Sequence, residues 1–439
     1  MRPAVTGGPL GIGITPLVTM RDRLSASRRI GLTTLAVTAL AVGVLFLFFK
    51  SAEQPQPTPS EVFLDSHWAQ PIEPQGASPD STAALVASLA PRDCGSCHPR
   101  QFDDWQSSNH ARSMGKGLLW QLPLLGQDAG NRCLGCHAPL AEQKALQAQR
   151  IGWSHAPEFP PPGYVAEDLD QQGLVCAACH LRGHQVFGPP ARSRTTPVPS
   201  VHVELTRHKA FEESEFCAPC HQFPDDGPQV NGKLQENTYQ QWLNSPAAKK
   251  GEQCQNCHMP DRRHLWRGIH DPEMVRRAMT LNLELTPTED GNRVLQATLA
   301  NVGAGHHLPT YMVPKLLLNV ELLQAADQPI QLAKKVIGWY VETDLRTERF
   351  DTRIPAGEQL TLSIPLRKIT LPENGRLRVS LDVHPREHYE RMFRDVVGNK
   401  NVSQETKLQV REVLDDAISA HYRLITQYID LNQSRLYAK

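Results

Sequence analysis

A predominant charge is missing from this sequence: 46 Lys and Arg offset 46 Asp and Glu, with no basic block. Phosphate recognition needs a Lys/Arg footprint, so nucleic acid is excluded as the main partner. Apolar residues are also sparse, at 40% against roughly 45–50% in an ordinary globular chain, and 35 prolines interrupt them. Neither a glycine-rich nucleotide loop nor a hydrolase nucleophile motif stands out. At about 150 residues per domain, 439 residues leave room for two or three. The excess lies in ten cysteines and eighteen histidines.

Residues 1–29 hold Arg2, Arg21, Arg23, Arg28 and Arg29 against one acid, Asp22. Residues 30–49 follow without a charge, and as a helix they span roughly 30 Å, the thickness of a bilayer's hydrocarbon core. The positive-inside rule predicts a cytoplasmic N-terminus, one transmembrane anchor in the inner membrane, and everything after Lys50 on the periplasmic side. A cleaved signal peptide would have a shorter run of about 7–15 residues and small residues at the cut; Lys50 occupies such a position before Ala52. Ser27-Arg28-Arg29 also fits a twin-arginine signal, but that route carries folded proteins. Residues 50–92 form the connection, and six prolines between Gln54 and Asp80 predict an extended, solvated spacer there.

All ten cysteines follow one pattern. Cys94 and Cys97 precede His98, Cys133 and Cys136 precede His137, and Cys176 and Cys179 precede His180. Cys217 and Cys220 precede His221, and Cys254 and Cys257 precede His258. Cys-x-x-Cys-His is the attachment signature of c-type haem: two thiols form thioethers and the next imidazole becomes the proximal iron ligand. Zinc would explain the cysteine pairs but not a histidine after every one, and disulfides explain the histidines no better. Five covalently attached haems are expected. The motifs start 39, 43, 41 and 37 residues apart. So little chain per cofactor predicts that porphyrins form much of the core of residues 93–278, close enough together for electron hopping.

The second axial ligands decide what the irons do. Two imidazoles give a six-coordinate iron suited to electron transfer, whereas an empty position admits a substrate. His110, His184, His208, His270 and His306 are the distal candidates. His110 closes the segment Trp105-Gln-Ser-Ser-Asn-His110, whose aromatic frame recurs at Tyr239 and Trp242, with Ala247 in the place of His110. His184 follows His180 by four residues and would serve a neighbouring haem. His270 comes soon after the last motif, and His306 or His307 sits in a glycine-rich turn where backbone can approach a flat cofactor. His208 leads for the fifth place, ahead of His155, His202 and His264. His384, His388 and His421 are far from the motifs and are expected on the surface.

Several segments resemble the multihaem cytochromes c related to cytochrome c-554. They are Trp105 to His110, Gly173-Leu-Val-Cys176-Ala-Ala-Cys179-His180 with Gly183-His184, and Phe216-Cys217-Ala-Pro-Cys220-His221-Gln222. Glu236 to Gly251, Cys254-Gln-Asn-Cys257-His258-Met259-Pro260 and Gly305-His306-His307-Leu-Pro309-Thr310 complete the set. The resemblance implies stacked, mostly bis-histidine haem pairs moving electrons outside the cytoplasm. Members of the c-554 type have four haems, one without a distal ligand; five motifs, the anchor and a long C-terminal region depart from that. Multihaem nitrite reductases whose catalytic haem motif ends in lysine have no counterpart here.

Beyond Met279 the cysteines stop. Leu281-Asn-Leu283-Glu-Leu285 and Leu377-Arg-Val379-Ser-Leu381-Asp-Val383 alternate with period two, and Leu316 to Leu323 and Leu360 to Ile364 are further strand candidates. Residues 279–398 therefore predict a small antiparallel sandwich. Within residues 399–439, helical spacing from Gln404 to Leu431 predicts one long helix. The expected fold class is α+β and multidomain: anchor, mainly helical and loop multihaem domain, β-sandwich, then helix. The expected role is a membrane-anchored carrier between other redox proteins or the quinone pool. The alternatives are an enzyme with one five-coordinate haem acting on a small nitrogen or sulfur compound, or a quinol-oxidising cytochrome.

Overall fold

The computed structural model describes residues 56–78, 84–192, 202, 205–289, 292–323, 328–366, 375–431 and 436–438. The apolar run at 30–49 lies outside them, and among the described residues no helix is long and apolar enough to cross a membrane.

The haem-motif region is built of short helices. They include α1 (Pro91–Cys97), α2 (Pro99–Gln106), α3 (Gln127–His137), α4 (Cys176–His180), α5 (Ala218–His221) and α6 (Cys254–His258). Pro91 and Pro99 open α1 and α2, where a missing N–H costs nothing because the first-turn donors have no intrahelical partner. The expectation of an extended spacer is corrected within it. Pro59–His67 is a helix, and Leu64, Trp68 and Ile72 are buried with Trp105, Leu169 and Val175. The cause is helical spacing: Leu64 and Trp68 lie four residues apart on one face. His67 anchors that face, its Nε2 lying 2.9 Å from the carbonyl oxygen of Cys179.

Residues 279 onward hold two larger antiparallel sheets, besides a two-stranded one that pairs Trp339–Val341 with Glu348–Asp351. Strands β1 (Met279–Pro287), β2 (Arg293–Asn301), β3 (Lys315–Leu323), β4 (Ile330–Ile337), β5 (Gln359–Pro365), β6 (Arg376–His384), β7 (Tyr422–Asp430) and β8 (Leu436–Ala438) arrange as β5-β2-β1 and β8-β7-β6-β3-β4. Leu281, Leu283, Leu295 and Leu299 of the first sheet share one core with Leu316, Leu318, Val379 and Leu381 of the second. Each fully buried leucine contributes about 1.5–3 kcal/mol. On β1 the buried Met279, Leu281 and Leu283 alternate with exposed Thr280, Asn282 and Glu284, as a sheet with one solvated face requires.

The single long C-terminal helix is corrected. Two helices, α7 (Glu387–Gly398) and α8 (Gln404–Ser419), are inserted between β6 and β7, and Tyr422–Asp430 is a strand. It pairs with β6 through Val383↔Tyr422, Leu381↔Ile425 and Leu377↔Ile429. The helical spacing runs out at Ile418; beyond it, Tyr422, Ile425, Thr426, Tyr428 and Ile429 are the β-branched and aromatic residues that suit a half-buried pleat. Phe393, Val410 and Ala417 form the small core of the helical insertion.

Candidate haem sites

Each motif occupies roughly one helical turn. Cysteines three apart project from one face of that turn, with the histidine next in line. None of the ten cysteines is in a disulfide. Among the described residues no cysteine pair gathers with a third ligand atom, as a zinc cage would require. Instead all ten cysteines and His98, His137, His180, His221 and His258 line one connected cavity of about 2090 Å³. Burial pushes the thiol of Cys179 up to about 11, while contact with the thiols of Cys94 and Cys136, with burial adding to it, holds Cys176 and Cys220 above their ordinary value. The motifs adjoin through their sulfurs. Cys94 lies against Cys176, Cys136 against Cys220, and Cys217 against Cys254. The first site thus neighbours the third, and the fourth neighbours both the second and the fifth.

Four of the five proximal imidazoles face a second one across the cavity. Ring centres are 6.2 Å apart for His98 and His202, and 6.2 Å for His180 and His264. They are 6.3 Å apart for His221 and His110, and 6.3 Å for His258 and His306. A metal–imidazole bond is about 2 Å, so two rings on opposite sides of one ion have centres about 6 Å apart. The spacing fits an iron between the rings and is too wide for direct stacking.

Backbone carbonyls set the imidazole tautomers. Nδ1–H donates to a carbonyl in His137 (Ser113, 2.7 Å), His180 (Phe187, 2.8 Å) and His258 (Arg267, 2.6 Å). His306 and His264 do the same toward His307 (2.8 Å) and Arg262 (3.0 Å). A carbonyl only accepts, so the proton sits on Nδ1 and the Nε2 lone pair is left for a metal. Burial, with neighbouring imidazoles adding to it, lowers His110 to about 3 and His306 to about 4. Both rings are neutral, the form that ligates.

Local structure places these rings. Trp105 Nε1 donates to the Leu174 carbonyl (2.7 Å), and the amide of Leu174 donates to the His110 carbonyl (2.9 Å). Gly173 permits this approach: it has φ +71°, and a Cβ there would stand 2.4 Å from the His110 carbonyl oxygen. In the second copy of the aromatic frame, Ala247 lies where a Cβ on Gly305 would be only 3.0 Å away. The small residue opposite His110 in the repeat thus seats the turn that carries His306.

Three distal candidates, His184, His208 and His270, stand away from the proximal rings. His184 does not stand opposite a proximal ring. It occupies the tip of a tight hairpin in which Arg182 pairs with Gln185, with φ +56° at Gly183 and +62° at His184. Its ring lies edge-on to Tyr164 at 4.7 Å. His208 stacks on Phe63 at 4.1 Å, and its Nδ1 accepts the amide N–H of Ala210 (3.2 Å) as a helix cap. His270 lines the cavity near Arg386, Arg112 and Asp416, without a proximal ring opposite. His202 and His264, ranked behind His208 on sequence, take the positions that His184 and His208 do not.

The second motif differs. Among the described residues no imidazole stands opposite His137 at the spacing of the other four pairs. The helical insertion covers this region: a Cβ on Gly117 would meet Phe393 and Val413 at 3.6 and 3.7 Å, and Lys116 pairs with Glu412. Tyr389 lines the cavity within electrostatic reach of Cys133.

Residues 93–151, which contain the first two motifs, match the family model described as cytochrome c554 and c-prime. The crystal structure of a penta-heme cytochrome c552 from Thermochromatium tepidum aligns with a TM-score of 0.49 at 18% identity, covering 69% of this chain and 92% of that one. No curated protein matches the chain.

Proposed function

We propose that this chain, a multihaem c-type cytochrome related to cytochrome c-554, carries electrons between extracytoplasmic redox partners and is tethered to the inner membrane by residues 30–49. When bound, haem supplies reversible one-electron exchange at an iron whose potential follows its axial ligands. The five cysteine pairs hold five such groups, and His98, His137, His180, His221 and His258 supply the proximal nitrogens. His202, His264, His110 and His306 supply distal nitrogens opposite His98, His180, His221 and His258. The observation that carries this reading is the set of four imidazole pairs at 6.2–6.3 Å. Redox proteins or the quinone pool are the partners the tether allows; inhibition of haem reduction in membranes by quinone analogues would select the second.

EPR of the oxidised protein, with haem counted chemically on the same sample, tests the assignment. Low-spin signals from at least four of five haems per chain are expected. Fewer than five haems, or a high-spin majority, would overturn it.

A second reading rests on His137. With no imidazole at 6.2–6.3 Å from it among the described residues, the second site has room for a small nitrogen or sulfur compound, and Tyr389 and Arg386 line the same cavity. That reading predicts a high-spin signal near one haem in five that nitrite, hydroxylamine or sulfite alters. A fully low-spin spectrum removes it and leaves the carrier.

A further inference from the structure

His384, His388 and His421 are expected on the surface from sequence, yet His388 is buried and the other two meet. His384 is the last residue of β6, and His421 immediately precedes β7. The ladder pairs Val383 with Tyr422, so the next pair outward brings His384 and His421 together, ring centres 3.6 Å apart. Glu390, in the first turn of α7, reaches back to this corner, and its Oε2 lies 2.8 Å from His421 Nε2.

One ligand atom from each of His384, Glu390 and His421 lies within 4.8 Å of the others, and all three residues are half-buried. His421 Nε2 and Glu390 Oε2 are buried, and neither completes a hydrogen bond despite their short separation. An N–H aimed at a carboxylate would form one. Two lone pairs converging on a common point would not. Arg394 is bound to the other carboxylate oxygen, Oε1, at 2.5 Å, which leaves Oε2 directed at the imidazoles.

We infer that His384, Glu390 and His421 form a binding site for a divalent first-row transition ion, with zinc the best match to two imidazoles and one carboxylate. The ion would complete its shell with water. None of the three residues lines the haem cavity, so the inference stands apart from the haem assignments. Its position gives it a structural consequence. The ion ties α7 to the ends of β6 and β7, where the helical insertion leaves and rejoins the sandwich. Tyr389, the neighbour of Glu390, lies on the cavity beside the second motif, so the ion would fix the helix that covers that site.

The test uses the full, haem-loaded protein, stripped with a chelator and titrated with zinc against a chromophoric competitor. One zinc per chain at submicromolar Kd is expected. His384→Ala and His421→Ala should each weaken binding on the order of a hundredfold, and Glu390→Gln about tenfold, while His155→Ala, on an exposed loop, leaves it unchanged. Zinc K-edge absorption on the unaltered protein keeps the test decisive if a variant fails to fold: two imidazoles and an oxygen shell are expected. Kd weaker than about 100 μM, unchanged binding in both histidine variants, or sulfur in the zinc shell would overturn the inference.

Discussion

The two halves of this chain bury their interiors in opposite ways. Residues 59–278, joined by the turn that carries His306 and by the helical insertion, surround a cavity of about 2090 Å³ lined by the five motifs, and their own helices have at most 11 residues. The sandwich closes on itself: Leu295, Leu299, Leu316, Leu318, Leu377 and Leu381 are wholly buried against one another. Loops and short helices wrapped round so large a cavity bury too little apolar surface to offset the conformational entropy they lose, whereas two sheets sharing a leucine and valine core bury enough. The first half therefore depends on its cofactors to fold, and the second does not.

The largest effect should come from denying the chain its haems. Expressed where thioethers are not formed, the region from Cys94 to His258 should be cleaved by protease within minutes. A fragment starting near Met279 should persist, identified by mass spectrometry. A haem-free but resistant fragment spanning the five motifs would break the comparison. Conversely, Leu381→Ala should cost the sandwich about 2–5 kcal/mol, read by calorimetry, and leave the haem absorption spectrum as it was.

Within the haem region, the comparison sharpens at single histidines. His306→Ala should convert one haem from low to high spin, because His306 faces His258 at 6.3 Å. His184→Ala and His208→Ala should leave the spin state unaltered, since one ring tips a hairpin and the other caps a helical turn. EPR on the three variants decides; a new high-spin signal in His184→Ala would return His184 to the distal ligands.

Legibility followed the same division. The five attachment motifs are local patterns, and so are the strands at Leu281–Leu285 and Leu377–Val383, where side-chain period alone reports the buried face. Distal histidines are long-range choices. His202 reaches His98 across more than a hundred residues, and no local spacing announces it. The hairpin tip at His184 did carry a signal: Leu181-Arg-Gly183-His184-Gln-Val186 places glycine between two short pairing segments, a turn pattern that competes with ligation. The strand at Tyr422–Asp430 was hidden because its apolar residues also fit a helical period, and only pairing with β6 separates the two. The helical turn under Leu64 and Trp68 was masked by the prolines around it.

The smallest expected effect concerns a charge buried at the end of the sandwich. Lys315, at the start of β3, has no exposed side chain; its Nζ donates to the Met312 carbonyl (2.6 Å) and lies 3.3 Å from Glu387 on α7. Burial pushes its pKa down to about 8, against the opposing pull of Glu387. The sign follows from proton counting. Between about pH 8 and 10.4 the unfolded chain holds a proton on this lysine that the folded chain has released, so stability rises with pH across that window. The contribution is complete above the unfolded value and is lost as pH falls through about 8. Lys315→Met removes it, and Glu387 keeps Arg391 at 2.8 Å, so the variant leaves no stranded charge. Near pH 7 the variant should therefore match the parent within about 1 kcal/mol or exceed it. Toward pH 10 the parent should gain on the variant. Taking the difference in Tm between the two proteins cancels the buried tyrosines, which titrate the other way. A difference that stays flat from pH 7 to 10 would mean that Lys315 remains charged in the fold, held by Glu387 and the Met312 carbonyl rather than neutralised by burial.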